Sequence, residues 1–242
     1  MTKTSTPEVR AHTGPDRGGR RPGRRGLVEE TTAARLGALR ARLEAGTSGG
    51  RATAARLRRA VARPAGSVPE VWEITMADLP PELVGRGDDP SAAETAVHVA
   101  LCLYAVHQQS AVAPMHRRGV GFGEAVRDLA YRSGADLTTS PVIRRFTALV
   151  TADSVEEMVW HLRGLVTQMR AAGVPLDYAR LAGDLYDVHD HDRRDAVRRA
   201  WGRGLYTYRP ATDTATDTAL DTAPDTATGV TVPGTDPTTT PA

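Results

Sequence analysis

From residue 30 to residue 208 apolar side chains recur every three or four positions, the repeat of one face of an α-helix, and no stretch alternates in the β-branched or aromatic-rich way of a strand. The pattern predicts an all-α domain, a single helical bundle of about eight helices. A first helix over 30–45 carries Leu36, Leu39 and Leu43 on one stripe and ends at Gly46. A second over 51–63 stops before Pro64. The Pro- and Gly-rich stretch over 64–90 reads as a connector with one helical turn near Val71 to Met76, pinned to the bundle by Trp72.

Sharper start signals follow. Ser91 with Glu94 three residues on forms a capping box, in which each side chain satisfies the other's free backbone N–H. Behind it Ala93, Val97, Ala100, Leu101, Tyr104 and Ala105 cover so much of the circumference that this helix, ending near His107 or Gln109, belongs at the centre. A helix over 120–131 is followed by one that Ser140 caps and Pro141 opens, with Val142, Phe146, Leu149 and Val150 inward. Ser154 and Glu157 make a second capping box, and the helix behind it aligns Met158, Leu162, Leu165, Val166 and Met169 before Gly173. Helices over 176–188 and 190–205 complete the bundle, the last with Val197 and Trp201 four residues apart.

Composition trims the ends. Residues 1–29 combine Arg, Gly and Pro with almost no apolar side chains, so ordering them would cost entropy that no burial offsets; a disordered basic arm is expected. Residues 209–242 run into repeated Asp-Thr-Ala, a low-complexity acidic tail also expected to be disordered. The folded domain is therefore placed at 30–208. Because the tail from Ala211 on holds five Asp and no Lys or Arg, the net charge of +2 hides a basic body. Cys102 is the only cysteine, which excludes an internal disulfide and fits a reducing cytoplasm. No run of about 18 apolar residues is present, so no membrane span is expected.

The basic residues cluster, and in the body they are all arginine. Arg51, Arg56, Arg58, Arg59 and Arg63 share one short helix whose apolar side is only Leu57 and Val61. Arg117 and Arg118 sit in a Gly-flanked loop, Arg144 and Arg145 follow Pro141, Arg163 and Arg170 lie seven apart on one helix side, and Arg193, Arg194, Arg198, Arg199 and Arg203 load the last helix. Guanidinium forks make bidentate phosphate contacts and stack on bases, which ammonium groups cannot. Charge on a helix face can equally serve solubility alone.

Other chemistry is thin. His189, Asp190, His191 and Asp192 could suggest zinc, but they fall at a helix junction with no further ligand at a fitting spacing, so a polar turn with Asp as N-cap is the expectation. His98, His107 and Cys102 lie on the central helix and read as core residues. No phosphate loop, nucleophile elbow or paired-carboxylate motif occurs, so no catalytic residue, metal or cofactor is expected.

Several stretches are similar to one family. Leu57 to Ala60 leading through Pro64 and Gly66 to Pro69 and Trp72, the long helix ending in His107, Gln108 and Gln109, and the segment Ile143, Arg144, Arg145 and Phe146 occur in the family's order. His161 to Arg163, Pro175 through Leu181 with Asp184 and Leu185, and the closing Val197, Arg198, Trp201, Gly202, Arg203 and Tyr206 continue it, over about 35–208. Together they resemble the small, CasB-type subunit of the type I-E CRISPR Cascade surveillance complex. The arm and tail are not part of that family's core.

The resemblance implies a non-catalytic antiviral-defence subunit, present in two copies against the complex's backbone-forming and large subunits. It implies sequence-independent binding of guide RNA (crRNA), target DNA and the displaced strand through basic surface residues. Carried onto this chain, with the clustering above, the expected nucleic-acid-binding residues are Arg58, Arg59, Arg63, Arg144, Arg145, Arg163, Arg199 and Arg203. A free-standing or regulatory binder would call for a helix-turn-helix with a recognition helix, of which no clear tight pair is found. A purely structural assembly subunit, whose arginines meet acidic protein surfaces, is the other alternative.

Overall fold

The computed structural model describes residues 22–134 and 140–207. Among them are nine α-helices: α1 (Arg24–Glu44), α2 (Ser48–Ala60), the single turn α3 (Trp72–Thr75), α4 (Ala92–His107), α5 (Phe122–Arg132), α6 (Pro141–Val150), α7 (Val155–Ala172), α8 (Tyr178–Val188) and α9 (His191–Tyr206). A 3-10 turn, Pro69–Val71, leads into α3. The described residues hold no strand, only an isolated bridge between His116 and Leu176. The all-α expectation is met, with α3 as the expected turn in the connector.

The centre is α4. Its capping box forms as expected, with Ser91 Oγ accepting from the Glu94 N–H at 3.0 Å and Glu94 accepting from the Ser91 N–H at 2.7 Å. Every residue from Ala96 to His107 is buried, because α1, α2, α7 and α8 all pack against this one helix. Leu101 and Leu103 are fully buried, each contributing about 2 kcal/mol by the area removed from water. Cys102 is buried here too, and desolvation pushes its thiol up, out of the range where a thiolate forms at neutral pH.

Several boundaries differ from the sequence reading, each for a physical reason. The arm expected to be disordered over 1–29 enters the bundle at its end: α1 starts at Arg24, because Val28 is buried and Arg25 finds two carboxylates. The rest of that arm, residues 1–21, and the tail over 209–242 lie outside the described residues. At α7 the box is half formed: Ser154 Oγ accepts from the Glu157 N–H, but Glu157 accepts from the N–H of Asp153 rather than Ser154. Trp72 does not pin the connector to the bundle; it is 46% exposed and its indole N–H donates to the Gly66 carbonyl within the connector. What ties the connector down is the burial of Val71 and Leu83 in the core, together with Arg35, which donates from α1 to the carbonyls of Ile74 and Ala77.

Close helix contact explains one glycine. At Gly123 of α5 a Cβ would collide with the Trp201 carbonyl oxygen of α9, so only glycine allows the two helices to meet here. Gly173 ends α7 in the left-handed region at φ 66°, where glycine carries no steric penalty.

Candidate nucleic-acid interface

The fold sorts the arginines into two kinds. One kind is structural. Arg25 bridges from α1 to Asp184, at 2.7 Å, and Asp187 on α8, and Asp184 also accepts the Trp201 indole N–H of α9 at 2.7 Å. Burial opposes the charge on Arg25, but its hydrogen bonds to Asp184 and Asp187 outweigh that and raise its pKa. Arg127 donates to the carbonyls of Gly204 and Thr207, Arg194 to Val188 and Arg198 to Ala152. These side chains close helix ends and interhelix seams, and their charge has its partner within the chain.

The other kind pairs with no acid. None of the side chains of Arg58, Arg59, Arg63, Arg144, Arg145, Arg163, Arg199 and Arg203 makes a hydrogen bond or ion pair with any described residue. Arg58 and Arg145 are half-buried and the other six exposed. Partial burial lowers the pKa of Arg58, and the neighbouring charges of Arg59 and Arg170 lower it further. The fold thus gathers cations from α2 and α7 at one place, an arrangement that a bound anion would relieve. Arg170 is held there by hydrogen bonds to Gln109 and the Val106 carbonyl at the end of α4.

Further along α7 two grooves share a wall. The first, about 460 Å³, is lined by Arg63 and Pro64 after α2 and by Val159, Trp160 and Arg163 of α7, with Asp89, Glu156 and His189 also on its lining. The second, about 320 Å³, lies between Arg145 of α6 and the α7 residues Trp160, Arg163, Gly164, Thr167 and Gln168. Those α7 positions follow the i, i+3, i+4, i+7 spacing of a single helix face, opposite the buried stripe of Met158, Leu162, Leu165 and Met169. Gly164 keeps that face low: a Cβ there would stand 2.8 Å from Arg145 Nη1. Trp160 is 67% exposed between the two grooves. It is not among the residues expected from sequence, although an aromatic off the apolar stripe and three residues before Arg163 is a legible signal.

The structure therefore brings Arg58 and Arg59 together with Arg170, and Arg63, Arg145 and Arg163 around Trp160. Arg144 on α6 and Arg199 and Arg203 on α9 are exposed but line neither groove.

The remaining candidates are structural. Asp190 caps α9 by accepting from the Asp192 N–H, as expected, and His189 donates to the Leu185 carbonyl. Among the described residues no group of three His, Cys, Asp or Glu side chains could hold a metal ion. His107 bonds the Tyr178 hydroxyl at 2.8 Å inside the core, and burial lowers its pKa to about 4. His98 faces the carbonyls of Ala60 and Arg63 at the end of α2, its pKa also lowered by burial. No helix among the described residues is long and apolar enough to cross a membrane.

The family model for CRISPR-associated protein Cse2 matches residues 53–206, a span that includes these eight arginines and Trp160. The chain belongs to the Cse2 family. Among solved structures, CasB from Thermobifida fusca is similar over 74% of this chain and 97% of its own, at 34% identity and a TM-score of 0.63. CasB from Thermus thermophilus matches over 72% and 97% at 26% identity, with a TM-score of 0.53. A second Thermus thermophilus structure, of a CRISPR-associated Cse2-family protein, shares the fold at 24% identity and a TM-score of 0.53 over 72% and 97%. No curated protein matches. The CasB-type Cascade small subunit recognised in the sequence is borne out, and the whole of α1, with Arg25, lies ahead of the matched span.

Proposed function

We propose that this Cse2-family chain is a non-catalytic, nucleic-acid-binding subunit of a type I-E Cascade complex. In this reading it steadies the hybrid of guide RNA and target DNA, and the displaced strand, through its basic face, beside the backbone and large subunits and a second copy of itself. The observation that carries the reading is the set of guanidinium groups on α2, α6 and α7 that form no ion pair with any described carboxylate, whereas Arg25 and Arg193 pair with the aspartates of α8. Exchanging a DNA duplex for an RNA–DNA hybrid is nearly balanced in energy, so phosphate contacts from a rigid bundle can tip it. Such contacts carry no base information, and binding is expected to be independent of sequence.

The salt dependence of binding tests this. Replacing Arg58, Arg59, Arg144 and Arg145 together by Glu lowers affinity for single-stranded DNA and flattens the dependence of log K on log salt. The expected change in slope is about 0.7 for each phosphate that the variant no longer neutralises. An unchanged slope overturns the reading. A tagged full-length chain purified from its host, with the co-purifying RNA sequenced, is expected to carry repeat-flanked guide RNAs and a stoichiometric set of larger subunits; recovery of the chain alone overturns the Cascade assignment.

A further inference from the structure

Trp160 separates two grooves of different character. The groove on the Arg145 side has no acidic residue, and Arg145, Arg163, Thr167 and Gln168 offer it only cationic and neutral polar groups. The groove on the Arg63 side has mostly apolar walls, among them Val61, Pro64, Val99 and Val159, with two carboxylates, Asp89 and Glu156, on its lining. A phosphate suits the first; in the second, Asp89 and Glu156 offset Arg63 and Arg163, so the groove holds no surplus of cations for an anion. A nucleobase suits the second: its faces bury against apolar walls and its amino groups can donate to a carboxylate. The exposed indole between them is a flat surface on which any base can stack, because every base has a π-face.

We propose that Trp160 is a stacking platform for one unpaired nucleotide, its base lying against the indole in the Arg63-side groove and its flanking phosphates held by Arg145 and Arg163. This rests on the nucleic-acid-binding reading above and names the unit bound, single-stranded rather than duplex, and the place. The shape supports it independently of charge. Gly164 leaves room for the Arg145 guanidinium to lie across α7 beside the indole, and an edge-on contact with the His161 ring at 4.8 Å supports the indole from its own helix. Arg170 lies seven residues beyond Arg163, about 10 Å along the helix axis, so a strand leaving the platform along α7 reaches the Arg58, Arg59 and Arg170 cluster next.

The test compares two single-stranded oligonucleotides of equal length, one of thymidines and one abasic, against the full-length chain. Trp160→Ala is expected to weaken binding of the thymidine strand about tenfold, the size of one stacking interaction, with an unchanged salt slope and no loss on the abasic strand. Trp160→Phe is expected to keep most of the affinity. Equal losses on both strands, or none on the thymidine strand, overturn the platform. Arg63→Gln and Arg163→Gln separate this from the broader reading: if they weaken both strands while Trp160→Ala weakens neither, stacking falls and phosphate binding stands. If none of the three variants changes binding, both fall. A Trp160→Ala chain that keeps its strand affinity but no longer recovers the larger subunits assigns the groove to a protein and also overturns the proposal.

Discussion

Arg25 and Arg163 are the same residue type on the two longest helices, and the fold uses them in opposite ways. On the α1, α8 and α9 side, Arg25 meets Asp184 and Asp187, Arg193 meets Asp187 again, and the Trp201 indole completes the network. On the α2, α6 and α7 side, Arg63, Arg145 and Arg163 surround an exposed tryptophan with no side-chain partner. The difference lies in the neighbours. Where α8 supplies carboxylates, arginine becomes a clamp for the last helix; where α7 supplies Gly164, Thr167 and Gln168, it stays available to an outside anion.

If that division holds, the two sides should fail differently. The largest effect is expected at the clamp. Arg25→Ala removes the cation shared by two nearly buried carboxylates and should destabilise the chain by about 3 kcal/mol, toward the low end for breaking such pairs because Trp201 and Arg193 remain. Urea unfolding measures this, and strand binding by the folded fraction should not change.

Acid should widen the contrast. His107, with a folded pKa of about 4 against 6.5 for the free side chain, takes up its proton in the unfolded chain first. Between those values the unfolded state binds more protons, so stability falls as pH drops through the window and levels off below it. A shift of this size corresponds to a loss on the order of 3 kcal/mol. His98 and His116, whose pKa values burial also lowers, act in the same direction. His107→Gln should flatten the pH dependence of the urea midpoint, whereas the arginine face keeps its charge throughout.

On the basic face the effects on folding should be small. Arg63→Gln, Arg145→Gln and Arg163→Gln are expected to change the unfolding free energy by less than about 0.5 kcal/mol each, as exposed positions without partners do, while each lowers the salt slope of single-strand binding. Smallest for stability, and most pointed, is Thr167→Glu. It gives Arg163 an acid one helical turn away, worth a few tenths of a kcal/mol, and so turns an available arginine into a paired one; single-strand affinity should fall although no arginine has been removed.

Much of the bundle was legible because helix signals are local. The Ser91 and Glu94 box, Ser140 with Pro141, and the stripe from Met158 to Met169 each lie within one element, and each formed. Trp72 misled because an aromatic in a Pro-rich stretch suggests a core anchor, whereas its indole N–H closes a local loop onto Gly66. The start of α1 lies before the sequence boundary because Arg24, Arg25 and Gly26 continue the composition of the arm; what orders them is the burial of Val28 and a pair of aspartates some 160 residues away, which no local pattern shows. Among the arginines, sequence identified the clusters but could not tell Arg198, which reaches the Ala152 carbonyl, from Arg199 beside it, which reaches nothing in the described chain.

Periodicity, caps and ordered motifs, all written along the chain, were enough for the class of fold, the central place of α4 and the family. Which arginines hold the bundle together, which remain for a partner, and that Trp160 stands among the latter became visible in three dimensions alone. The reason is range: a helix face is set by residues three and four apart, but whether a guanidinium finds a carboxylate depends on which other helix the core brings against it.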